Sequence, residues 1–392
     1  MGALRATIRG LGFAKIAILA RLLTPEKFGV FGIASLTLTF LETITESGIN
    51  IFLIQEKEDI KKYINSAYAV SVVRGILIGI VMILFAPVIA TFFDSPEVVQ
   101  LLYLTGLIPI IKGFINPAIV SYQKDLDFGK EFYIRTFLYL VDALVAVLVA
   151  FQTKSAISLV WGLLAGSMAE VIFSHLLISP KPKIHFDKVK IGKVINRGKW
   201  ITLARIMDYF FREGDDIVVG KLLNTGSLGL YQLAYKVSTL PITEVTDVVI
   251  KVTFPVFSKI AGDKGRLKNA FFKSSTAIFV TVIPFSLGIF YFSDFIVNIL
   301  LGTGWEEAVP ILRVLSVFGA IKAITAASYP LLLSLKKQKY LSVITLFAIL
   351  GLAATIIPFV TTYGVIGAAY SAVFGSLLGF PVAIYFVVKV LK

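Results

Sequence analysis

Leu341-Ser-Val-Ile-Thr-Leu-Phe-Ala-Ile-Leu-Gly-Leu-Ala-Ala-Thr-Ile-Ile-Pro-Phe-Val360 carries no charge from end to end. At a rise of 1.5 Å per residue, about 20 apolar residues in a helix cross the ~30 Å hydrocarbon core of a bilayer. Ser274–Ser293 and Gly364–Val388 are two further uncharged stretches of the same kind. Transmembrane β-strands would be about ten residues long and would alternate apolar with polar, so these continuous runs specify helices. The rest of the chain agrees. Of 392 residues 57% are hydrophobic and 16% are charged, against about 25% charged in a soluble domain. The mean hydropathy is +0.86. The fold class expected is all-α integral membrane, with helices over 1–22, 28–54, 64–93, 98–121, 132–152, 156–178, 197–222, 228–258, 270–293, 307–335, 339–360 and 363–388. The first of these has basic residues ahead of its apolar run but no small-residue cleavage site, so it reads as a retained helix and not a signal peptide.

The formal charge of +14 invites a nucleic-acid reading, which its distribution excludes. Nine basic and ten acidic residues lie inside the spans, so the surplus belongs to the connections. Those connections alternate. One set, including both ends of the chain and 180–199, holds 25 of the 38 Lys and Arg, while the other holds Arg21, Lys27, Lys154 and Lys221. By the positive-inside rule this places both termini and the 180–199 loop in the cytoplasm, in a multi-pass protein of the cell membrane. With no cysteine there are no disulfides and no thiolate metal sites. No Gly-rich phosphate loop and no His-carboxylate cluster of metal spacing occurs, so neither cofactor, metal nor enzymatic chemistry is expected.

The chain repeats itself. Arg21-Leu-Leu-Thr-Pro-Glu-Lys-Phe-Gly-Val-Phe-Gly-Ile-Ala34 aligns without a gap on Lys221-Leu-Leu-Asn-Thr-Gly-Ser-Leu-Gly-Leu-Tyr-Gln-Leu-Ala234, an offset of 200. Pro117–Ser121 aligns on Pro330–Ser334 and Gly106 on Gly319, an offset of 213. Two lobes of six helices follow, 1–179 and 200–392, joined by the basic loop 180–199. An even number of helices per lobe makes the repeat parallel, the symmetry of transporters that rock two lobes about a central site. A duplicated scaffold without transport is the plainer alternative.

Charges inside the spans carry the functional signal, because an ionisable group at mid-bilayer costs about 2.5–3.5 kcal/mol and normally faces a partner or a cavity. Arg205, Asp208, Arg212 and Asp215 fall on one face of the seventh span. Lys236, Glu244, Asp247 and Lys251 fall on one face of the eighth, and Glu42 and Glu46 stand one turn apart on the second. Lys112 and Lys322 lie in the fourth and tenth spans, three positions from repeat equivalence at the 213 offset. These charges either pair to pin the bundle, Arg205 with Asp208 for example, or line a water-filled cavity formed by the first, second, seventh and eighth helices.

Several runs in fixed order resemble a known family. They are Leu19–Gly29, Phe85–Phe93 followed by Ser95-Pro-Glu97, Lys124–Phe128, Asp216–Gly220, Leu228–Ala234, Phe254–Lys259 and Gly304-Trp-Glu-Glu-Ala308. Together they resemble the Wzx-type polysaccharide flippases of the multidrug/oligosaccharidyl-lipid/polysaccharide exporter superfamily, from about residue 17 to residue 375. The resemblance implies a twelve-helix, two-lobed carrier that flips a polyprenyl-diphosphate-linked oligosaccharide for cell-surface polysaccharide such as lipopolysaccharide. Its partners would be that substrate and the membrane lipids. Arg205, Arg212, Lys112 and Lys322 would meet the diphosphate, with Asp208, Asp215, Lys236 and Glu42 lining the same cavity. Two alternatives share the resemblance. One is an antiporter of drugs or metabolites coupled to H+ or Na+ through Asp142, Asp208 or Glu170. The other is a flippase of a lipid-linked peptidoglycan precursor.

Overall fold

The computed structural model describes residues 2–45, 61–124, 128–185, 187, 206, 209–210 and 212–392. Among these the regular structure is helical. The protein is an all-α integral membrane protein: eight of its described helices are long and apolar enough to cross a bilayer. The other expected spans, 1–22, 98–121, 197–222 and 228–258, carry more charge or form shorter helices. The chain divides into two compact units, Met1–Ile217 with Asn224–Gly226, and Val218–Leu223 with Ser227–Lys392. Most of the expected basic loop 180–199 lies outside the described residues.

The first unit contains α1 (Gly2–Leu22), α2 (Pro25–Ile44), α3 (Lys61–Phe92), α4 (Val98–Thr105), α5 (Leu107–Gly113), α6 (Phe128–Thr153) and α7 (Ile157–Leu177). Pro25 opens α2 in the first helical position, where its missing N–H is no loss. Close approach is achieved with small residues, as membrane helices must do when lipid is as apolar as leucine. Gly75 and Gly79, one turn apart on α3, face the main chain of α4 and α5. A Cβ would stand 2.2 Å from the Pro109 carbonyl oxygen at Gly75, and 2.6 Å from that of Gly106 at Gly79. On the opposite side of the bargain, Leu84 of α3 and Leu148 of α6 stay 68% and 61% exposed, the side chains of a surface that lipid covers.

The second unit contains α8 (Thr225–Ile260), α9 (Lys264–Tyr291), α10 (Ser293–Leu300), α11 (Ala308–Ala326), α12 (Ser328–Ser334), α13 (Gln338–Tyr363) and α14 (Val365–Leu391). The Asp263 carboxylate caps α9 by accepting from the Arg266 N–H at 3.0 Å. Gly364, at φ 64°, reverses the chain between α13 and α14, a conformation an L side chain resists. These two helices then pack along their length, with a Gly375 Cβ placed 2.7 Å from the Ala348 carbonyl oxygen.

Two expected single helices are broken. The span 98–121 becomes α4 and α5, then, after Phe114–Asn116, a 3₁₀ turn at Pro117–Val120. The span 307–335 becomes α11 and α12, interrupted at Ala327. Before Pro117 the chain is extended at Asn116 (ψ 114°), as a residue preceding proline is pushed out of the helical region, whereas Gly106 and Ala327 keep helical angles. In the first unit the freed groups are satisfied by the buried Asn116. Its side chain accepts from the Ala118 N–H at 3.0 Å and donates to the Pro180 carbonyl at 3.1 Å.

The repeat also has a different register from the one the prolines suggest. Val98 N–H donates to the Ser95 carbonyl, and Val99 N–H to that of Pro96; Ala308 and Val309 make the same turn on Trp305 and Glu306. Val98, Leu101, Leu102 and Thr105 are buried, and so are Ala308, Ile311, Leu312 and Leu315. Both observations give an offset of 210, which sets Lys112 directly on Lys322. The expected three-residue mismatch is therefore corrected. Helix α11 runs to Ala326, four residues past Lys322, whereas α5 ends at Gly113, one residue past Lys112. The second unit has gained nearly one helical turn between the lysine and the proline.

Candidate functional site

Lys112 and Lys322 each stand fourteen residues along from the first residue of their descending segments, Val98 and Ala308. Around Lys112 the first unit assembles further polar groups. Its Nζ lies 3.5 Å from Glu42 Oε1, both side chains being about 40% exposed (42% and 36%). The end of α2 that carries Glu42 is held by Arg74, whose guanidinium donates to the Glu42 carbonyl at 2.7 Å and to Thr45 Oγ1 at 3.1 Å. The last carbonyls of a helix have no intrahelical donor, so Arg74 caps α2 and fixes where the Glu42 side chain starts. Lys112 and Arg135 also lie within electrostatic range of Glu170 on α7. Arg135 Nε in turn donates to Glu131 Oε1, one turn away, at 2.8 Å.

A second feature of the first unit is deeper. Lys15 of α1 donates to both carboxylate oxygens of Asp142 on α6, at 2.7 and 2.8 Å, with each side chain only 11% exposed. Gly162 of α7 presses on the same carboxylate, since a Cβ there would lie 2.5 Å from Asp142 Oδ1. In a low-dielectric interior such a pair is strong when made and costly when broken.

In the second unit Lys322 meets aromatic groups. Its Nζ donates to the Tyr235 hydroxyl at 3.2 Å and lies 5.8 and 5.2 Å from the ring centroids of Tyr235 and Phe318. Those rings are 5.7 Å apart, so they form one cradle. Cations within about 6 Å of a ring face are attracted by its quadrupole.

The remaining expected residues are placed as follows. Arg205 and Asp208 lie outside the described residues, so their stripe is described only at Arg212 and Asp215. Asp215 is buried and accepts from the Asp216 N–H at 3.1 Å, while Arg212 and Lys236 are exposed. All three have polar or electrostatic partners. The structure joins Glu42 to Lys112 and places Lys322 with Tyr235 and Phe318. Sequence reading missed Arg74, Tyr235 and Phe318 as positioning groups. Phe318 and Lys322 share a face at i, i+4, a signal that was there to use.

Among curated proteins the chain is 25% identical over 321 residues to the lipopolysaccharide biosynthesis protein WzxC of Escherichia coli (strain K12), covering 81% of this chain and 65% of that protein. It is 28% identical over 389 residues to an uncharacterized membrane protein in the cps region of Klebsiella pneumoniae, covering 98% of this chain and 80% of that one. It thus spans about two thirds of the first relative's length and four fifths of the second's. Among solved structures it resembles the lipid II flippase MurJ in an inward closed conformation, with a TM-score of 0.80 at 17% identity over 99% of this chain and 88% of that one, a likeness of fold. The sequence pattern of the polysaccharide biosynthesis protein family matches residues 18–310, three quarters of the chain, and the protein belongs to that family.

Proposed function

We propose that this protein is a carrier, not a catalyst, that flips a polyprenyl-diphosphate-linked oligosaccharide from the cytoplasmic to the outer leaflet by alternating access. The export would serve cell-surface polysaccharide synthesis, through twelve membrane crossings with both termini in the cytoplasm. The observation that supports the reading is the pair of lysines at matching positions of two similar segments, Lys112 and Lys322, each fourteen residues from its segment's first helical residue. A diphosphate crossing hydrocarbon needs cations along its route, and charge-assisted hydrogen bonds are strongest where water is scarce. The relative in Escherichia coli is named for lipopolysaccharide biosynthesis, and the structurally similar MurJ is titled a lipid II flippase, both of which support a lipid-linked glycan as cargo. Arg205 and Arg212 are proposed to share the diphosphate with the two lysines, and Asp208, Asp215, Lys236 and Glu42 to line the same route.

The test is transport in liposomes containing the full chain. A fluorescent polyprenyl-diphosphate-linked sugar should cross, and a cationic dye should not. Dye transport driven by a proton or sodium gradient, without movement of the lipid-linked sugar, would replace this reading with antiport.

A further inference from the structure

Lys112 stands in the last turn of α5, and the chain just beyond it is fixed on two sides. Towards α3 the next residue, Gly113, touches main chain: a Cβ there would lie 2.9 Å from the Ser71 carbonyl oxygen. Towards α7 the fixing group is Asn116, which is fully buried. Its N–H donates to Ser174 Oγ at 3.0 Å, and that hydroxyl donates on to the Val171 carbonyl at 2.9 Å. Its side-chain amide reaches the Pro180 carbonyl at 3.1 Å and those of Ser174 and Ile178 at 3.4 Å, while its side-chain oxygen holds the Ala118 N–H. An asparagine side chain has two N–H donors and one carbonyl to offer, so all of it is engaged. The three carbonyls lie at or just past the end of α7, where a helix runs out of its own donors.

No slack separates these bonds from Lys112. Phe114 N–H donates to the Ile111 carbonyl at 3.0 Å and Ile115 N–H to that of Lys112 at 3.1 Å, so the turn leading to Asn116 is closed on itself. On the far side of the contact, Ser174 lies one turn along α7 from Glu170, the carboxylate within electrostatic range of Lys112. Four residues separate Lys112 from Asn116, and four separate Glu170 from Ser174. The second unit is built otherwise. Lys322 is followed by helix as far as Ala326, so its place follows from the helix that carries it.

We propose that Asn116 is a positioning residue: by fastening the Lys112 turn to the end of α7 it sets Lys112 against Glu170, and so sets how tightly the diphosphate of the substrate is held. The inference rests on the transport role proposed for Lys112. Without Asn116 the lysine stays in the chain, but the turn that carries it is no longer tied to α7.

The experiment uses the full chain in liposomes, with flipping of the fluorescent polyprenyl-diphosphate-linked sugar followed over a range of its concentrations. Asn116→Ala should raise KM about tenfold, the weight of one hydrogen bond to a charged group, and change the maximal rate by less than about twofold. Ser174→Ala, a milder change that keeps the Asn116 side chain, should raise KM about fivefold. Because both act through Lys112, either one combined with Lys112→Ala should be no worse than Lys112→Ala alone, as variants within one chain of contacts do not add. Ile178→Ala removes packing on Ile64 and Ala118 at the same place while leaving these hydrogen-bonding groups intact, and should leave KM unchanged. Should Asn116→Ala fail to fold, Ser174→Ala and its double variant decide. An unchanged KM, additive double variants, or an equal rise in Ile178→Ala would each overturn the positioning role while Lys112→Ala still impairs transport. A Lys112→Ala variant that transports like the parent would reject the transport role of Lys112 and the positioning role with it, so the two failures are told apart.

Discussion

In the first unit Lys112 faces the carboxylate of Glu42 at 3.5 Å, whereas at the matching position of the second unit Lys322 faces the Tyr235 hydroxyl and the rings of Tyr235 and Phe318. A carboxylate offers the ammonium an opposite charge, while a phenol hydroxyl and two ring faces add a hydrogen bond and a quadrupole attraction. The two positions thus share a lysine but differ in the groups beside it. The first unit carries the habit further in Lys15–Asp142 and Arg135–Glu131.

The largest effect expected from that contrast is on stability. Asp142→Asn leaves Lys15 buried without its counter-charge and should cost about 3–5 kcal/mol, read from unfolding in micelles. The double variant Lys15→Met, Asp142→Leu should recover most of the loss, because it removes both desolvation penalties. A single variant as stable as the parent would show that acids do not secure the cations of the first unit.

Next in size is transport. If the two lysines are the same position used twice, Lys112→Ala and Lys322→Ala should each lower flipping about tenfold or more, or about 1.4 kcal/mol of barrier. A large loss in one and none in the other would break the equivalence. The smallest effects separate the two ways of holding a lysine. Glu42→Gln breaks a half-exposed ion pair and should change stability by less than about 1 kcal/mol. Tyr235→Phe removes the acceptor and keeps the ring, costing about 0.5–1.5 kcal/mol. Tyr235→Leu should cost more, since it removes the cation–π attraction as well. If Phe and Leu behave alike at 235, the ring face contributes nothing.

The membrane class was legible because Leu341–Val360 and its counterparts satisfy a length and polarity rule that only a helix across a bilayer obeys. The repeat was legible as well, but its register was not. Pro117 and Pro330 are conspicuous and suggested an offset of 213, while the lysines obey 210. The difference is hidden in a nearly helical turn added after Lys322, where residues of ordinary helix composition leave no mark of insertion. The extended Asn116 followed from Pro117, whereas the chain keeps helical angles at the interruptions at Gly106 and Ala327. The aromatic cradle of Lys322 was half legible: Phe318 shares its face, but Tyr235 comes from another helix, 87 residues away. Lys15 and Asp142 were each visible as charges in apolar runs. Their partnership depends on α1 packing against α6, which no local pattern encodes.

That partnership has a consequence for the order in which the protein is made. Lys15 precedes Asp142 by 127 residues. A ribosome adding roughly 5–20 residues per second delivers the aspartate about 6–25 s after the lysine. For that interval α1 holds a charged side chain worth about 2.5–3.5 kcal/mol against insertion, and it has no counter-ion in the chain yet made to match Asp142. Its own apolar residues must retain it, or the insertion machinery must shelter it, until α6 arrives. The first helix therefore reaches its final state only when the sixth is synthesised.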